Sequence, residues 1–245
     1  MTFSDEEVER YARHLVLREV GGPGQQRLKA AKVLVVGLGG LGAPAALYLA
    51  AAGVGTLILA DPDVVDRSNL QRQVIYAEAD LGRPKVEAAS EHLLALNPHV
   101  RIETRQIALA AENAKAFVAG VDLVLDGTDD FGVRFAVNAA CVAHGTPLVS
   151  GAIGRWTGQV GVFHGQPCYR CLVPEIPPDA ETCQAVGVIG ALAGVIGSMM
   201  ALEAIKLIAG AGTPLDGRLM IYDALAAQTR TVRIGADADC PVCGG

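Results

Sequence analysis

The apolar positions of this chain fall into two kinds of run. Short blocks such as Val33-Leu34-Val35-Val36 are apolar throughout, which is the pattern of a strand buried on both faces. Longer stretches between them are apolar at helical spacing or all round. Val33–Val36 and Thr56–Ala60 predict strands, with a charge-free helix over Ala43–Ala52 between them. The alternation continues with a helix near Lys85–Leu96, a strand near Arg101–Gln106 and a helix near Ala111–Ala119. A strand at Asp122–Leu125, a helix at Val133–His144 and a strand at Pro147–Ser150 follow. This order predicts an α/β fold, a Rossmann-like doubly wound sheet whose N-terminal half is parallel. After Ser150 the runs shorten and turns replace helices. Gly158–His164, Arg218–Tyr222 and Thr229–Ile234 predict antiparallel strands that extend the same sheet.

Two segments depart from the alternation. Ser4-x-x-Glu7 is a capping-box pattern and predicts a helix through Glu7–Arg18, broken by Gly21-Gly22-Pro23-Gly24 and followed by a short helix over Gln25–Ala30. Ala185 to Leu202 carries no charge over eighteen residues, enough to imitate a membrane span. Glu203 and Lys206 follow within the same helical pattern and no basic cluster flanks it, so a buried core helix is expected. No repeat or low-complexity linker divides the chain. One domain over residues 1–245 is expected: a helical arm (about 4–30), a first half (about 31–150) and a second half (about 151–245).

Composition narrows the function. Hydrophobic residues make up 51% of the 245 and the net charge is −6. A chain that tracks nucleic-acid phosphates needs a basic face, and none is visible here. The acidic start has neither an apolar run nor the Arg-rich pattern of a targeting segment, so a cytoplasmic location is expected.

The candidate chemistry begins at Gly37-x-Gly39-x-x-Gly42, which follows a strand and opens a helix. Glycines there permit a tight turn and close approach of a phosphate, and the helix N-terminus supplies amides and partial positive charge. Asp61, at the end of the next strand, is placed to accept hydrogen bonds from ribose hydroxyls. Read alone, this fingerprint usually means NAD. Ser68-Asn69-Leu70-Gln71-Arg72-Gln73, Arg83-Pro84-Lys85 and Asp126-Gly127-Thr128-Asp129-Asp130 should lie along the same carboxyl edge of the sheet. Their Arg, Lys and Asp residues indicate more phosphate charge plus a metal, and Asp129 is a suitable hard oxygen ligand for Mg²⁺.

With these motifs the sequence resembles the MoeB/ThiF/HesA family, the bacterial relatives of ubiquitin-activating E1 enzymes. Arg10-Tyr11-x-Arg13, Gly82-Arg83-Pro84-Lys85, Cys168-Tyr169-Arg170-Cys171-Leu172, Ala204-Ile205-Lys206 and Cys240-Pro241-Val242-Cys243 extend the likeness over nearly the whole chain. The resemblance implies a homodimer that binds Mg-ATP and adenylates the C-terminal carboxylate of a small ubiquitin-like sulfur-carrier protein ending in Gly-Gly. The second half would bind the carrier. It also implies roles. Asp129 would hold Mg²⁺ and Asp61 the ribose. Asn69, Arg72 and Lys85 would position and neutralise phosphates, and Arg13 would reach the partner subunit's ATP. Gly37, Gly39, Gly40, Gly42, Asp63, Gln73 and Asp130 complete the nucleotide-site candidates. The family commonly has Cys-Thr-Asp-Asn where this chain has Gly127-Thr128-Asp129-Asp130, so Asp130 either joins the metal ligands or points away. With no rhodanese segment in the sequence, a persulfide donor would be a separate protein.

The cysteines add a second site. Cys168-x-x-Cys171 and Cys240-x-x-Cys243 are two CxxC pairs, the spacing of a tetrahedral Cys₄ zinc site. Cys183 stands alone before the glycine-rich helix. The resemblance implies a sulfur-relay or thioester role for it, and an inert free thiol is the competing reading. Three other functions stay open on sequence alone. One is an NAD-dependent oxidoreductase. Another is a scaffold that binds nucleotide without turnover, and the third an enzyme that adenylates a small-molecule or RNA carboxylate.

Overall fold

A computed structural model describes residues 2–176 and 187–244. Its centre is an eight-stranded sheet ordered β3-β2-β1-β4-β5-β6-β7-β8. The strands are β1 (Lys32–Val36), β2 (Thr56–Ala60), β3 (Arg101–Arg105), β4 (Leu123–Asp126), β5 (Leu148–Gly154), β6 (Thr157–Phe163), β7 (Arg218–Asp223) and β8 (Gln228–Arg233). Strands β1 to β5 pair in parallel. From β5 to β8 every pairing is antiparallel. The expected mixed sheet is therefore present.

The uninterrupted apolar runs follow from cover on both faces. Val33 and Val35 of β1 enter one buried cluster, while Leu34 and Val36 enter another. On the first face lie α3 (Gly21–Ala30), α4 (Gly42–Ala51), α5 (Lys85–Leu96) and α9 (Gly190–Ala209). The second face is covered by α6 (Ala114–Val118), α7 (Phe131–His144) and α8 (Tyr169–Leu172). The chain runs outward from β1 to β3 and then returns to the other side of β1 as β4. The strand order thus reverses between β1 and β4, and a crevice opens there at the carboxyl ends of the strands.

Two expectations need correction, and a third, the core helix, stands with one face exposed. The N-terminal helix does not run unbroken to Arg18. It divides at Tyr11 into α1 (Asp5–Arg10) and α2 (Ala12–Leu15). The capping box of Ser4 and Glu7 is present, but Tyr11 turns inward, 4% exposed, and its phenol oxygen meets Asn97 Nδ2 at 2.8 Å. The Gly-Gly-Pro-Gly segment opens α3 rather than breaking a helix. Pro23 falls in the first turn, where no intrahelical N–H is needed. The apolar helix α9 is buried on one side only: Ile196, Met200 and Ala204 are in the core, whereas Val195 and Leu202 are 40% and 58% exposed. By length and composition α9 could cross a membrane. Its packing against α4 and the sheet makes it a core helix here.

Candidate active site

A cavity of about 580 Å³ occupies the crevice between the β1 and β4 ends. Its first wall is the turn after β1. Gly37 has φ +81°, and a Cβ there would lie 2.9 Å from Thr128 Cγ2. Gly42 begins α4 so close to Gly37 that a Cβ would sit 1.8 Å from the Gly37 carbonyl oxygen. Backbone cannot yield that far without reshaping the loop. Gly42→Ala is therefore expected to cost about 2 kcal/mol of stability, the scale of an overpacked site, and to abolish nucleotide binding. Gly39→Ala meets nothing closer than Gln73 Nε2 at 3.6 Å and should shift stability by no more than about 0.5 kcal/mol. Thermal unfolding and a nucleotide titration on both variants check the pair.

Asp61 braces this turn. Its Oδ2 accepts from the Leu38 amide at 2.6 Å and its Oδ1 from the Asp63 amide at 2.9 Å. Burial pushes its carboxyl above the ordinary range, against the pull of Lys85 and those two amides. A carboxylate has about four acceptor positions, so two remain open to donors of a ligand. Lys85 opens α5, is 4% exposed and donates to Asp63 Oδ2 at 2.9 Å. Arg72 donates to Asn69 Oδ1 at 2.8 Å and to the Ser68 carbonyl at 3.2 Å, both in the loop after β2. Gln73 lies alongside, 3% exposed, and its Oε1 has no hydrogen-bond partner among the described residues. A buried acceptor left open in a cavity wall fits a ligand that donates to it.

The opposite wall is the loop after β4. Asp126 is buried, and its Oδ1 accepts from the Thr128 amide at 3.0 Å and the Thr128 hydroxyl at 2.9 Å. This turn leaves Asp129 exposed on the cavity wall. Asp130 lines the cavity too, but its Oδ1 caps α7 by accepting from the Val133 amide at 2.9 Å. An asparagine, the residue the family commonly has here, would cap the helix equally well, so the cap does not explain the departure.

The cavity gathers Gly37, Gly39, Gly40, Asp61, Asp63 and Asn69, and also Arg72, Gln73, Lys85, Asp129 and Asp130. Gly42 stands behind it at the start of α4. Arg13 is exposed on α2 and does not line the cavity of its own chain. Cys183 lies outside the described residues. Sequence reasoning missed Arg134 and Tyr169 as site residues; both line the cavity. The visible signal was the pair Arg134 and Asn138, one turn apart in an otherwise apolar helix body.

A family model described as the ThiF family matches residues 11–242. This chain belongs to the ThiF family. It is 48% identical over 253 aligned positions to the sulfur carrier protein adenylyltransferase of Thermus thermophilus, covering 100% of this chain and 93% of that protein. It is also 48% identical to the molybdopterin-synthase adenylyltransferase of Escherichia coli, covering 98% of each. Among solved structures, E. coli MccB with MccA-N7isoASN superposes with a TM-score of 0.86, covering 100% of this chain and 76% of MccB. At 22% identity that likeness speaks to the fold alone.

This ThiF-family chain also brings its two CxxC pairs together. The four Sγ atoms lie within 4.8 Å of one another. Cys168 and Cys240 sulfurs are 3.7 Å apart, and those of Cys171 and Cys243 are 3.4 Å apart. Tetrahedral zinc with Zn–S bonds of about 2.3 Å separates its sulfurs by about 3.8 Å. The spacing fits four thiolates around one zinc ion, and it ties the C-terminal tail to α8 beside the cavity.

Proposed function

We propose that this chain uses Mg-ATP to adenylate the C-terminal carboxylate of a small ubiquitin-like sulfur-carrier protein, releasing pyrophosphate. The observation that carries the reading is the convergence of Arg72, Lys85 and Asp129 on the cavity of the glycine turn, in a chain whose full-length relatives are named for this chemistry. A carboxylate oxygen attacks the α-phosphorus, a P–O bond forms, and the bond to pyrophosphate breaks. The nucleophile is already anionic, so no general base is required. Accordingly, no histidine lines the cavity among the described residues.

The obstacle is like charge. Two unit charges 4 Å apart repel by about 4 kcal/mol at an effective dielectric of 20, and a triphosphate carries several. Lys85 and Arg72 supply fixed cations against it. Lys85 donates to Asp63 and Arg72 to Asn69, and these contacts hold both cations at the cavity. Asp129 would hold Mg²⁺, which supplies further charge neutralisation at the phosphates. Asp61 would take the ribose. Trapping the carrier after a single turnover tests the reading: mass spectrometry should find AMP on its C-terminal glycine.

The reading includes a homodimer with shared sites. Val16, Leu17, Val195 and Leu202 are exposed apolar side chains that a partner could cover, and Arg13 has no ion-pair partner among the described residues. Arg13 would then act on the partner's ATP. Mixing Arg13→Ala and Asp129→Ala subunits should restore one working site per mixed dimer. Mixed dimers that form without regaining exchange activity would remove Arg13 from the mechanism. Cys183 is assigned to the step after adenylation, where sulfur arrives from a separate persulfide donor, because no step of carboxylate attack on ATP uses a thiol.

A further inference from the structure

Helix α7 carries two polar residues on one buried face, Arg134 and Asn138, one turn apart. They are 5% and 1% exposed. A buried guanidinium is tolerable only when its donors are met, and Arg134 spreads them widely. It donates to the carbonyls of Thr128 and Gly151, the latter at 2.7 Å, to Ser150 Oγ at 3.3 Å and to Tyr169 Oη at 3.4 Å. Its Nε lies 4.0 Å from Asp126 Oδ2. One side chain thus spans β4, β5, α8 and the turn that presents Asp129.

Asn138 reaches the other way. Its Oδ1 accepts from the Tyr169 amide at 2.8 Å. That bond fixes which end of the side-chain amide faces the cysteines: Nδ2 donates to Cys168 Sγ at 3.5 Å. A metal-bound thiolate is an acceptor that such an N–H orients and stabilises. Tyr169 closes the connection, since its backbone is held by Asn138 and its phenol meets Arg134. Its ring is also locked edge-on against Phe163, with centroids 5.5 Å apart. The sequence Cys168–Asn138–Tyr169–Arg134–Thr128 is therefore contiguous from the cysteine cluster to the residue preceding Asp129.

We propose that Arg134 and Asn138 are positioning residues through which metal at the four-cysteine site and Mg-ATP in the cavity stabilise each other's binding. The inference rests on the proposed reading of the cavity as a nucleotide site. Metal fixes Cys168 Sγ and hence the Asn138 amide. That amide sets Tyr169, whose phenol helps aim Arg134 at the Thr128 carbonyl, and so the turn that presents Asp129 is held. Such coupling is reciprocal: whatever factor metal contributes to nucleotide affinity, nucleotide returns to metal affinity.

The test measures zinc release to a chromogenic chelator with and without saturating Mg-ATP, beside a direct Mg-ATP titration. Wild-type protein should release zinc about fivefold or more slowly when Mg-ATP is bound, the low end of usual coupling. Arg134→Lys keeps the charge but loses the fan of donors. Tyr169→Phe removes one hydroxyl and keeps the ring packing, so it stands in if the buried arginine variant does not fold. Both should purify with zinc, and the slowing should fall below twofold. Equal release rates with and without Mg-ATP, in wild-type protein that binds Mg-ATP, would overturn the coupling. So would full slowing in Tyr169→Phe. A wild-type protein that binds no Mg-ATP in the direct titration would instead overturn the nucleotide reading of the cavity, and the coupling with it.

Discussion

Asp129→Ala should lower carrier-dependent ATP–pyrophosphate exchange by about a hundredfold or more while leaving the fold intact. The size of the loss follows from its role. Removing one well-placed electrostatic stabiliser usually costs about 10² to 10³ in rate, and Asp129 is the carboxylate through which Mg²⁺ would be held against the phosphates. The intact fold follows from its position. Asp129 is exposed and accepts no hydrogen bond among the described residues, so its truncation should change stability by no more than about 0.5 kcal/mol. Asp130→Ala is the informative contrast. It removes the side-chain cap of α7 and should cost about 1 kcal/mol, with a much smaller effect on exchange. Parallel thermal melts and exchange rates separate the two carboxylates. If Asp130→Ala lost as much exchange as Asp129→Ala, both acids would belong to the metal site.

Loss of the cysteine site should have the opposite signature, with stability falling first. Structural zinc contributes about 10 kcal/mol in peptides that have little other core. Here the sheet supplies most of the folding energy, so the dependence is smaller. If zinc contributes about 3 kcal/mol, its removal lowers the melting midpoint by roughly 6–12 °C in a chain of this size. Cys240→Ser with Cys243→Ser should show that drop, zinc content near zero, and cleavage of the C-terminal tail by protease. Residues 240 and 243 would then be cut loose from 168 and 171; the β1 and β4 ends of the cavity lie on other elements, so Mg-ATP should still bind, weakened only by the coupling factor proposed above. Wild-type protein that purifies without zinc, or with disulfides between these cysteines, would contradict the assignment.

Much of this was legible in the sequence because it is written in local pattern. Val33–Val36 and Thr56–Ala60 have no polar face, and a strand covered by helices on both sides needs none. The glycine turn is readable because Gly42 meets the Gly37 carbonyl within one short loop. The CxxC spacings are equally local, and their meeting follows from the ligand number of zinc. What escaped is long-range. The break at Tyr11 answers to Asn97, which nothing near Tyr11 in sequence announces. Strand β5 continues past Ser150, where the sequence pattern ended it, through Gly151-Ala152-Ile153-Gly154 because β6 pairs with it residue by residue. In the sequence Arg134 is a single charge within a largely apolar helix. Its partners come from β4, β5 and α8, so its importance appears only once the sheet has brought them together. Asp130 was ambiguous for a related reason: cap and metal ligand can use the same carboxylate, and its cap on the Val133 amide becomes visible only in the fold.

In the proposed reaction the cavity activates a carrier's C-terminal carboxylate with ATP. Isotope exchange between pyrophosphate and ATP measures that step directly, because label returns to ATP only if the adenylate forms reversibly. The purified chain should catalyse exchange when a ubiquitin-like carrier ending in Gly-Gly is present, and should lose it when the carrier's terminal glycine is removed. Exchange that proceeds equally without any carrier, or nicotinamide-dinucleotide binding in place of ATP binding at the same cavity, would contradict the account.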